Sequence, residues 1–484
     1  MSILAKEENL TLLADFYEFT MGNGYLTHGY GDKEVTFDLF FRSIPDGGGY
    51  AIVAGLEQAI DYIEHLHFSE EDLAFLKDKG LSEDFIDALR NFQFSCDLWA
   101  VPEGSVVFPG EPLIVVRGPV LQAQLLETML LLTINHQSLI ATKASRIVRS
   151  AKGRDVIEFG SRRAQGISGA NLGARAAYIG GCVATANTLA ERLFGVPAVG
   201  TMAHSWIQMF PSEYEAFATY AKTYPEKTLL LVDTYDTLDQ GIPNAIRVFD
   251  EILKPMGHRP KGIRIDSGDI AYLSKEARKL LDAAGYEDCP IMASNSLDEF
   301  VIENLLHQGA KIDSFGVGER LITSKSSPVF GGVYKLTSVE RDGVLTPTIK
   351  ISENVQKITT PGFKSVTRFY DKETKKALAD VVHHFGEELP EDNYEIFHPV
   401  HTWKRRVLKN FEKKELLVPI YEKGRLVYDL PSLDAIRAHA AEELGSLWEE
   451  MTRLENPQEY MVDLSEALWR TKEELLASHG HGSH

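Results

Sequence analysis

Short apolar runs alternate with helical segments through the middle of the chain. Segments with helical periodicity, such as residues 178–195 and 272–285, separate the runs. Alternation of this kind indicates parallel strands in βαβ units, and the number and spacing of the runs favour an α/β barrel or barrel-like sheet over an open sheet. The six runs are DVIEFG (155–160), PAVGTMAH (197–204), TLLLVDTYD (228–236), GIRIDSGD (262–269), PIMASN (290–295) and IDSFGVG (312–318).

The flanking regions have other patterns. Residues 35–116 contain short alternating runs broken by Gly and Pro, which predict a largely antiparallel sheet with helices. Residues 121–150 lack Gly and Pro and predict one long buried helix. Strand-like runs follow the barrel, and then a charged, helix-rich end. We therefore predict a sheet-rich α+β N-terminal domain (1–127), an α/β barrel-like catalytic domain (128–345) and a helical/β C-terminal extension (346–484).

Composition narrows the class of protein. The formal charge of −20 argues against a nucleic-acid or anionic-membrane surface, because such binding neutralises many phosphates at once. No apolar run approaches the roughly 18 residues of a membrane span, and the acidic start does not resemble a signal peptide. We expect a cytoplasmic protein whose cysteines (Cys96, Cys182, Cys289) are reduced and buried. The short tail SHGHGSH is too rich in Gly to fold.

Polar residues follow the apolar part of each run, where the carboxyl ends of barrel strands would form one pocket. In GIRIDSGD, Asp266 leaves the strand, Ser267 and Gly268 form a tight turn, and Asp269 precedes a helix. Carboxylates in such a place suit Mg²⁺, which binds one or two carboxylates together with phosphate oxygens. Arg264 points to the same face as Asp266 and offers a planar fork for an anion. The alternative is a helix cap with a structural Arg–Asp pair.

Five further residues are candidates, and each also has an ordinary structural explanation. Asp233 is a second strand-end carboxylate, although it or Asp236 could simply cap a helix. His204 could act as a base or accept a phosphoryl group, or it could be a core histidine. Arg162 rather than Arg163 is expected in the pocket. Gly316 and Gly318 would let backbone N–H groups approach a phosphate.

Several long motifs, in order, resemble the nicotinate phosphoribosyltransferases. They are LLADFYEFTMGNGY near the start, FGSRRAQG, GTMAHSW, RIDSGD and GVGERLITSKSSPVFGGVYKL. The resemblance implies transfer of phosphoribose from phosphoribosyl pyrophosphate (PRPP) to nicotinate, giving nicotinate mononucleotide and pyrophosphate. It also implies Mg²⁺, coupled hydrolysis of ATP, and a homodimer in which the first 30 or so residues could lie at the interface.

The resemblance assigns roles residue by residue. Tyr17 and Phe159 would stack on the pyridine ring, and Tyr17 could come from the partner subunit. His204 would be phosphorylated by ATP. The remaining roles concern the phosphoribosyl substrate. Arg162 and Arg264 would bind its anionic groups, and Asp266 and Asp233 would bind the ribose and Mg²⁺. Gly316 and Gly318 would approach a phosphate, and the further substrate contacts would be Thr201, Ser205, Ser267 and Gly268.

Other activities remain open within and outside this class. Nicotinamide or quinolinate phosphoribosyltransferase is the nearest alternative. The related nicotinamide-using enzyme carries an aspartate at the place of Val183, and the absence of that carboxylate here favours an acidic substrate. A sugar-phosphate aldolase or isomerase barrel would usually need a base or a Schiff-base lysine, and no strand end offers a lysine. Oligomeric state, the group that binds the nicotinate carboxylate and the tightness of ATP coupling do not follow from the sequence.

Overall fold

The computed structural model describes residues 9–354 and 357–480. Residues 1–8, which carry most of the acidic start, and 481–484 of the histidine-containing tail lie outside the described residues. The chain divides into two compact units, Met1–Leu139 with Val329–His484 and Ile140–Pro328. The three-domain division that we inferred from the sequence stays a prediction. Within the described residues, no helix combines the length and the apolar character needed to cross a membrane.

The first unit contains mostly antiparallel strands. Its seven-stranded sheet has the order β13-β12-β1-β5-β3-β19-β20, and its four-stranded sheet has the order β18-β14-β15-β21. The strands are β1 (Glu34–Phe41), β2 (Ala51–Ile52), β3 (Asp97–Ala100), β4 (Val106–Val107), β5 (Ile114–Pro119), β12 (Gly332–Arg341), β13 (Val344–Pro347), β14 (Lys364–Asp371), β15 (Ala377–His384), β16 (Tyr394–Phe397), β17 (Arg405–Leu408), β18 (Phe411–Glu415), β19 (Val418–Glu422), β20 (Arg425–Leu426) and β21 (Val462–Leu464).

Helices cover these sheets. α3 and α4 begin after Ser69 and Ser82, whose side chains accept hydrogen bonds from Asp72 N and Phe85 N and so satisfy free backbone donors. The helices of this unit are α1 (Phe16–Thr27), α2 (Leu56–Glu64), α3 (Glu70–Asp78), α4 (Glu83–Arg90), α5 (Val120–Gln124), α15 (Leu433–Ser446) and α16 (Glu466–Gly480), and α6 (Glu127–Ser150) continues into the second unit.

The second unit is built on a parallel sheet with the order β7-β6-β11-β10-β9-β8. Its strands are short and largely buried, as expected when helices cover both faces of a parallel sheet. The strands are β6 (Asp155–Glu158), β7 (Ala184–Thr185), β8 (Leu229–Leu231), β9 (Gly262–Ile265), β10 (Ile291–Ser294) and β11 (Ser314–Val317). The helices are α7 (Gly166–Ile179), α8 (Thr188–Phe194), α9 (His204–Gln208), α10 (Glu213–Thr223), α11 (Ile242–Val248), α12 (Ile270–Ala283), α13 (Glu299–His307) and α14 (Glu319–Ile322).

The mixed α/β class, the antiparallel N-terminal sheet and five of the six predicted parallel strands are confirmed. The sixth run, PAVGTMAH, is not a strand: only Ala198 bridges to Thr185 of β7, since Pro197 and Gly200 flank that bridge. β7 lies where a helix was predicted, because α7 ends at Gly180 and Gly181. The long helix predicted over 121–150 is interrupted between α5 and α6, and the C-terminal end holds more strands than expected. All three cysteines are free and buried, as predicted.

Candidate active site

The carboxyl ends of the parallel strands bring together most of the predicted site residues of the second unit. In this sheet β6, β11, β10, β9 and β8 are successive neighbours, so residues that follow them in the sequence lie along one edge. Phe159 follows β6, Asp233 lies two residues after β8, and Asp266 follows β9. The edge therefore gathers side chains from segments that are far apart in the sequence.

Arg264 connects three neighbouring segments at this edge. Its Nε donates to Ser294 Oγ (2.8 Å), Nη1 to Thr201 Oγ1 (3.1 Å) and Nη2 to Asp266 Oδ1 (2.9 Å). The side chain is 15% exposed, so the guanidinium is held in place but still reaches solvent. A fixed, partly accessible fork of donors is suited to binding phosphate or carboxylate groups.

Asp266 is kept ionised by its surroundings. Burial alone would raise its pKa, but the hydrogen bonds from Ser294 and Arg264 and the charge of Arg264 outweigh burial, and the pKa falls below its usual value. Oδ1 accepts from both of those side chains. Oδ2 instead lies 3.8 Å from His204 Nε2, which is too long for a hydrogen bond. One oxygen of this carboxylate is thus available to a ligand.

Asp233 has the same division between its two oxygens. Oδ2 accepts from the backbone N–H of Asp266 (2.8 Å) and from Ser267 Oγ (2.7 Å), which fixes the turn after β9. Oδ1 is buried and has no hydrogen-bond partner among the described residues. A buried carboxylate oxygen left without a partner is costly unless a ligand or ion completes it. The turn also needs Gly268, whose φ of +80° strains any other residue.

His204 is the first residue of α9 and faces the same carboxylates. Its Nδ1 lies 3.1 Å from Thr234 Oγ1, and its side chain is 40% exposed. This contact orients the ring so that Nε2 faces Asp266. Ser205, the next residue, is exposed. A histidine oriented at one nitrogen and accessible at the other can act as a nucleophile or a base.

Phe159 and the two glycines of FGVGER form a second part of the site. A Cβ on Gly316 would lie 2.5 Å from the Phe159 ring, so glycine at this position makes room for the aromatic side chain. The guanidinium of Arg264 lies 5.5 Å from the centroid of the same ring. Gly318 immediately precedes α14. The ring is therefore half-buried on the sheet, next to the anion-binding arginine.

Two further predicted site residues, Arg162 and Tyr17, are exposed. Arg162 lies in a single helical turn, Ser161–Arg163, where it is exposed. No hydrogen bond or ion pair joins it to another described residue. Tyr17 belongs to the first unit and is 42% exposed. Burial, together with the charge of Glu127, raises the pKa of Tyr17 well above its usual value, so its hydroxyl is neutral. Asp236 and Asp269 act as helix caps, which is the alternative interpretation that the sequence left open for them.

Sequence reasoning missed three residues of the site. Ser294 binds both Arg264 and Asp266, and Thr234 holds His204. Glu158 is buried and accepts hydrogen bonds from Thr185 Oγ1 (2.6 Å) and Gly160 N, which fixes the turn beside Phe159. No local signal in the sequence marks Ser294, because only the alignment of β10 beside β9, in which Met292 pairs with Arg264, places Ser294 on the face that Arg264 and Asp266 share.

Three family models match the chain, each described as nicotinate phosphoribosyltransferase. The model of the N-terminal domain matches residues 12–135, the family model matches residues 155–386, and the model of the C-terminal domain matches residues 363–472. Together they cover both units and the whole parallel sheet.

Individual proteins agree with these models. The nicotinate phosphoribosyltransferase of Bacillus subtilis (strain 168) is 45% identical over 471 residues, which are 96% of this chain and 95% of that protein. That of Dictyostelium discoideum is 35% identical and covers 96% of this chain and 88% of its own length. The crystal structure of human nicotinic acid phosphoribosyltransferase superposes with a TM-score of 0.84 at 30% identity, covering 95% of this chain and 99% of that one. This chain therefore belongs to the nicotinate phosphoribosyltransferase family.

Proposed function

We propose that this protein transfers the 5-phosphoribosyl group of PRPP to nicotinate, giving nicotinate mononucleotide and pyrophosphate, and that hydrolysis of ATP is coupled to the transfer. The observation that carries the proposal is the set formed by Arg264, Asp266 and Asp233 at one edge of the parallel sheet, in a chain of this family. This set joins a fixed cation to two carboxylates with an unused oxygen each. On this proposal the sheet is an irregular, incomplete α/β barrel.

The nicotinate ring would stack on Phe159. The ring of Phe159 lies beside Arg264, which puts an aromatic face and a positive charge together, as an aromatic acid requires. Tyr17 would cover the other face of the substrate ring from the partner subunit of a homodimer in the cytoplasm. Arg162 is exposed and without a partner in the described part of the chain, so it is free to bind a substrate anion. Gly318 would approach a phosphate, with Thr201, Ser205, Ser267 and Gly268 as further contacts.

Two carboxylates fit a magnesium ion. Asp233 has a buried oxygen without a partner among the described residues, and Asp266 is ionised with one oxygen available. No group of three or more His, Cys, Asp or Glu residues in the described part of the chain could hold a metal ion. Mg²⁺ needs no such group, since it keeps several waters and binds substrate phosphates. Asp233 and Asp266 would hold the ion, which would supply positive charge against the pyrophosphate.

The side chains can then assist cleavage of the ribose C1–O bond. As pyrophosphate leaves, negative charge grows on it and positive charge grows on the ribose ring. The N–H donors of Arg264 stabilise the negative charge on the pyrophosphate. The carboxylates of Asp266 and Asp233 stabilise the positive charge on the ribose ring. The nicotinate nitrogen carries a free electron pair that forms the new bond to C1, so no general base is required. Stacking on Phe159 holds that nitrogen in position.

His204 would provide the link to ATP. Its ring is oriented by Thr234 and is accessible, so a ring nitrogen can form a bond to the γ-phosphorus of ATP as ADP leaves. Water later breaks the N–P bond and releases phosphate. While it lasts, the phosphohistidine adds negative charge and hydrogen-bond acceptors next to Asp266 and Arg264. Such a change can alter how PRPP is held.

The substrate assignment is tested by assaying nicotinate and nicotinamide side by side with PRPP, Mg²⁺ and ATP. We expect kcat/KM for nicotinate to exceed that for nicotinamide by at least 100-fold, because Val183 replaces a carboxylate that would bind the amide. Quinolinate serves as a second control. Equal or greater turnover of either alternative substrate would refute the assignment.

The role of His204 is tested with γ-labelled ATP and peptide mapping. The variant His204→Ala should lose ATP hydrolysis and the acid-labile phosphoenzyme, while slow ATP-independent transfer remains. His307→Ala, which removes an exposed histidine at the end of α13, is the matched control and should behave like the unmodified protein. Label on another residue, or ATP stimulation that survives in His204→Ala, would make His204 a structural residue.

A further inference from the structure

A cleft of about 810 Å³ lies within the first unit, and none of the residues that line it has a part in the proposed reaction. Strand β21 and the residues before it form one side. The segment Lys404–Arg406, at the start of β17, forms another, and the loop Gly47–Gly49 closes the end. The cleft has the volume of a small organic ligand.

One carboxyl group in this cleft is buried without a partner. Asp463 lies in the middle of β21, opposite Val381 of β15, and is only 1% exposed. Its Oδ2 makes no hydrogen bond to any residue that the structure describes. Burial raises the pKa of Asp463 to about 7. Because an unsatisfied buried carboxyl destabilises a fold, its presence at a cleft indicates a ligand that donates a hydrogen bond to it.

Cations also line this cleft. Lys404, Arg405 and Arg406 are consecutive and exposed in a chain whose net charge is −20. Arg405 Nη1 is paired with Glu395 Oε1 at 2.5 Å, whereas no side-chain partner within the described residues engages Lys404 or Arg406. These two side chains can therefore bind an anion.

Neutral groups complete the lining. His398 Nδ1 accepts hydrogen bonds from the N–H groups of Val400 (3.1 Å) and His401 (2.9 Å), so the proton of the neutral ring is on Nε2, which can donate. Burial also lowers the pKa of His398, which favours this neutral form. Phe108 and Tyr460 stack with their centroids 3.8 Å apart, are largely buried, and form an apolar wall of the cleft where they reach its lining.

We propose that this cleft binds a nucleotide whose base carries an amino group. The amino group donates to Asp463, the base lies against the wall of Phe108 and Tyr460, and the phosphate reaches Lys404 and Arg406. Inorganic phosphate alone would leave Asp463 without a donor, and a metal ion would meet two carboxyl groups, Asp463 and the exposed Glu459, among three cations. The proposal goes beyond the transfer reaction, because no step of that reaction uses these residues.

The first test uses the full chain and AMP as the probe, with binding measured by equilibrium dialysis. Asp463→Leu keeps the branched shape of the Asp side chain, with methyl groups in place of the carboxylate oxygens, and removes the acceptor. We expect AMP affinity to fall at least tenfold while the Tm stays the same or rises, because an unpaired buried polar group has been removed. A purely structural Asp463 would give the reverse, a lower Tm with unchanged AMP binding, and that result would overturn the proposal.

The second test addresses the cations and the two ends of the ligand. The double variant Lys404→Ala/Arg406→Ala should weaken AMP binding at least tenfold, and Lys409→Ala, an exposed lysine just beyond β17, should not. Adenosine and ribose 5-phosphate, each lacking one end, should bind at least tenfold more weakly than AMP. The proposal would be overturned if AMP did not bind, if all variants bound AMP equally, or if ribose 5-phosphate bound as tightly as AMP. This test stands even if Asp463→Leu fails to fold.

Discussion

Each unit contains an arginine bound to carboxylates, and the two clusters differ in how completely their polar atoms are paired. In the first unit Arg368 is 0% exposed, and every guanidinium nitrogen donates: to Asp380, to Glu443 Oε2 (2.8 Å) and to the Val106 carbonyl (2.8 Å). Asp380 also accepts from Tyr460 (2.8 Å). In the second unit, Arg264 and Asp266 are partly exposed, and Asp233 keeps a buried oxygen without a partner in the described chain.

The difference separates a structural ion cluster from a binding site. A buried charge is tolerated when other groups of the fold pair with it, and such a cluster leaves nothing for a ligand. A cluster that retains free carboxylate oxygens at an accessible edge is incomplete as a structural element. The same residue types thus indicate function only where the fold leaves them unsatisfied.

The largest effect on stability is expected from Arg368→Met. This change leaves Asp380 buried without its cation and Glu443 with only Lys414, 3.4 Å away, and removal of one partner from a buried ion pair costs about 3–5 kcal/mol. Denaturant unfolding followed by circular dichroism measures the loss. Arg90→Met, which removes an exposed pair with Glu70, should change stability little. An unchanged unfolding free energy in Arg368→Met would mean that the buried cluster does not stabilise the fold.

The next prediction concerns Asp266→Asn, which should lower kcat about 100- to 1000-fold, the range found when one electrostatic contact to a transition state is lost. Stability should hardly change, because the amide can still accept from Ser294 and Arg264. Asp269→Asn is the matched control, since asparagine also caps a helix and α12 should be preserved. Kinetics and thermal melting are measured for both variants, so that a loss of activity can be distinguished from a loss of stability. Near-normal turnover in Asp266→Asn would remove this carboxylate from the mechanism.

Much of the second unit could be predicted from the sequence, because the pattern that predicts each parallel strand lies within one short segment of the chain. Apolar runs that end in Asp or Gly give both the strand and the edge at which their side chains meet. Arg264 and Asp266 followed from that rule and from motif resemblance. His204 lies in a run that forms no strand and followed from motif resemblance, and the structure brings the three residues together.

The rest depends on contacts between distant segments. Ser294 looks like an ordinary strand residue, and only its alignment beside β9 makes it a partner of Arg264. PAVGTMAH has the composition of a strand, but the chain pairs there for one residue only. The buried pairing of Arg368 with Glu443 joins residues 75 positions apart, which no local pattern reveals.

The smallest predicted effect belongs to Ser294→Ala, which changes the pH dependence of the site more than its maximal rate. The Ser294 hydroxyl donates to Asp266 and is the strongest contribution opposing the effect of burial on the pKa of that carboxyl. Without it the pKa of Asp266 should rise, so the acid limb of the kcat/KM profile should move to higher pH. At pH 7.5 and above Asp266 is ionised in both proteins, and kcat should fall less than tenfold. The acid limb moves in this direction because the depressed pKa of Asp266 keeps its carboxylate charged as the pH falls. In the variant the pKa is less depressed, so the carboxylate is protonated at a higher pH.

Ser314→Ala in the neighbouring strand β11 is the matched control. It removes a serine at the amino end of the strand, on the opposite edge of the sheet from the site, and should leave the profile unchanged. Initial rates from pH 4.5 to 8.5, with folding checked at each pH, give the two limbs. The paired carboxylates of the first unit make no comparable contribution, since Arg368 compensates them and they face no ligand. If Ser294→Ala moved the acid limb to lower pH, or left it in place, the ionised form of Asp266 would not be the form that the reaction uses.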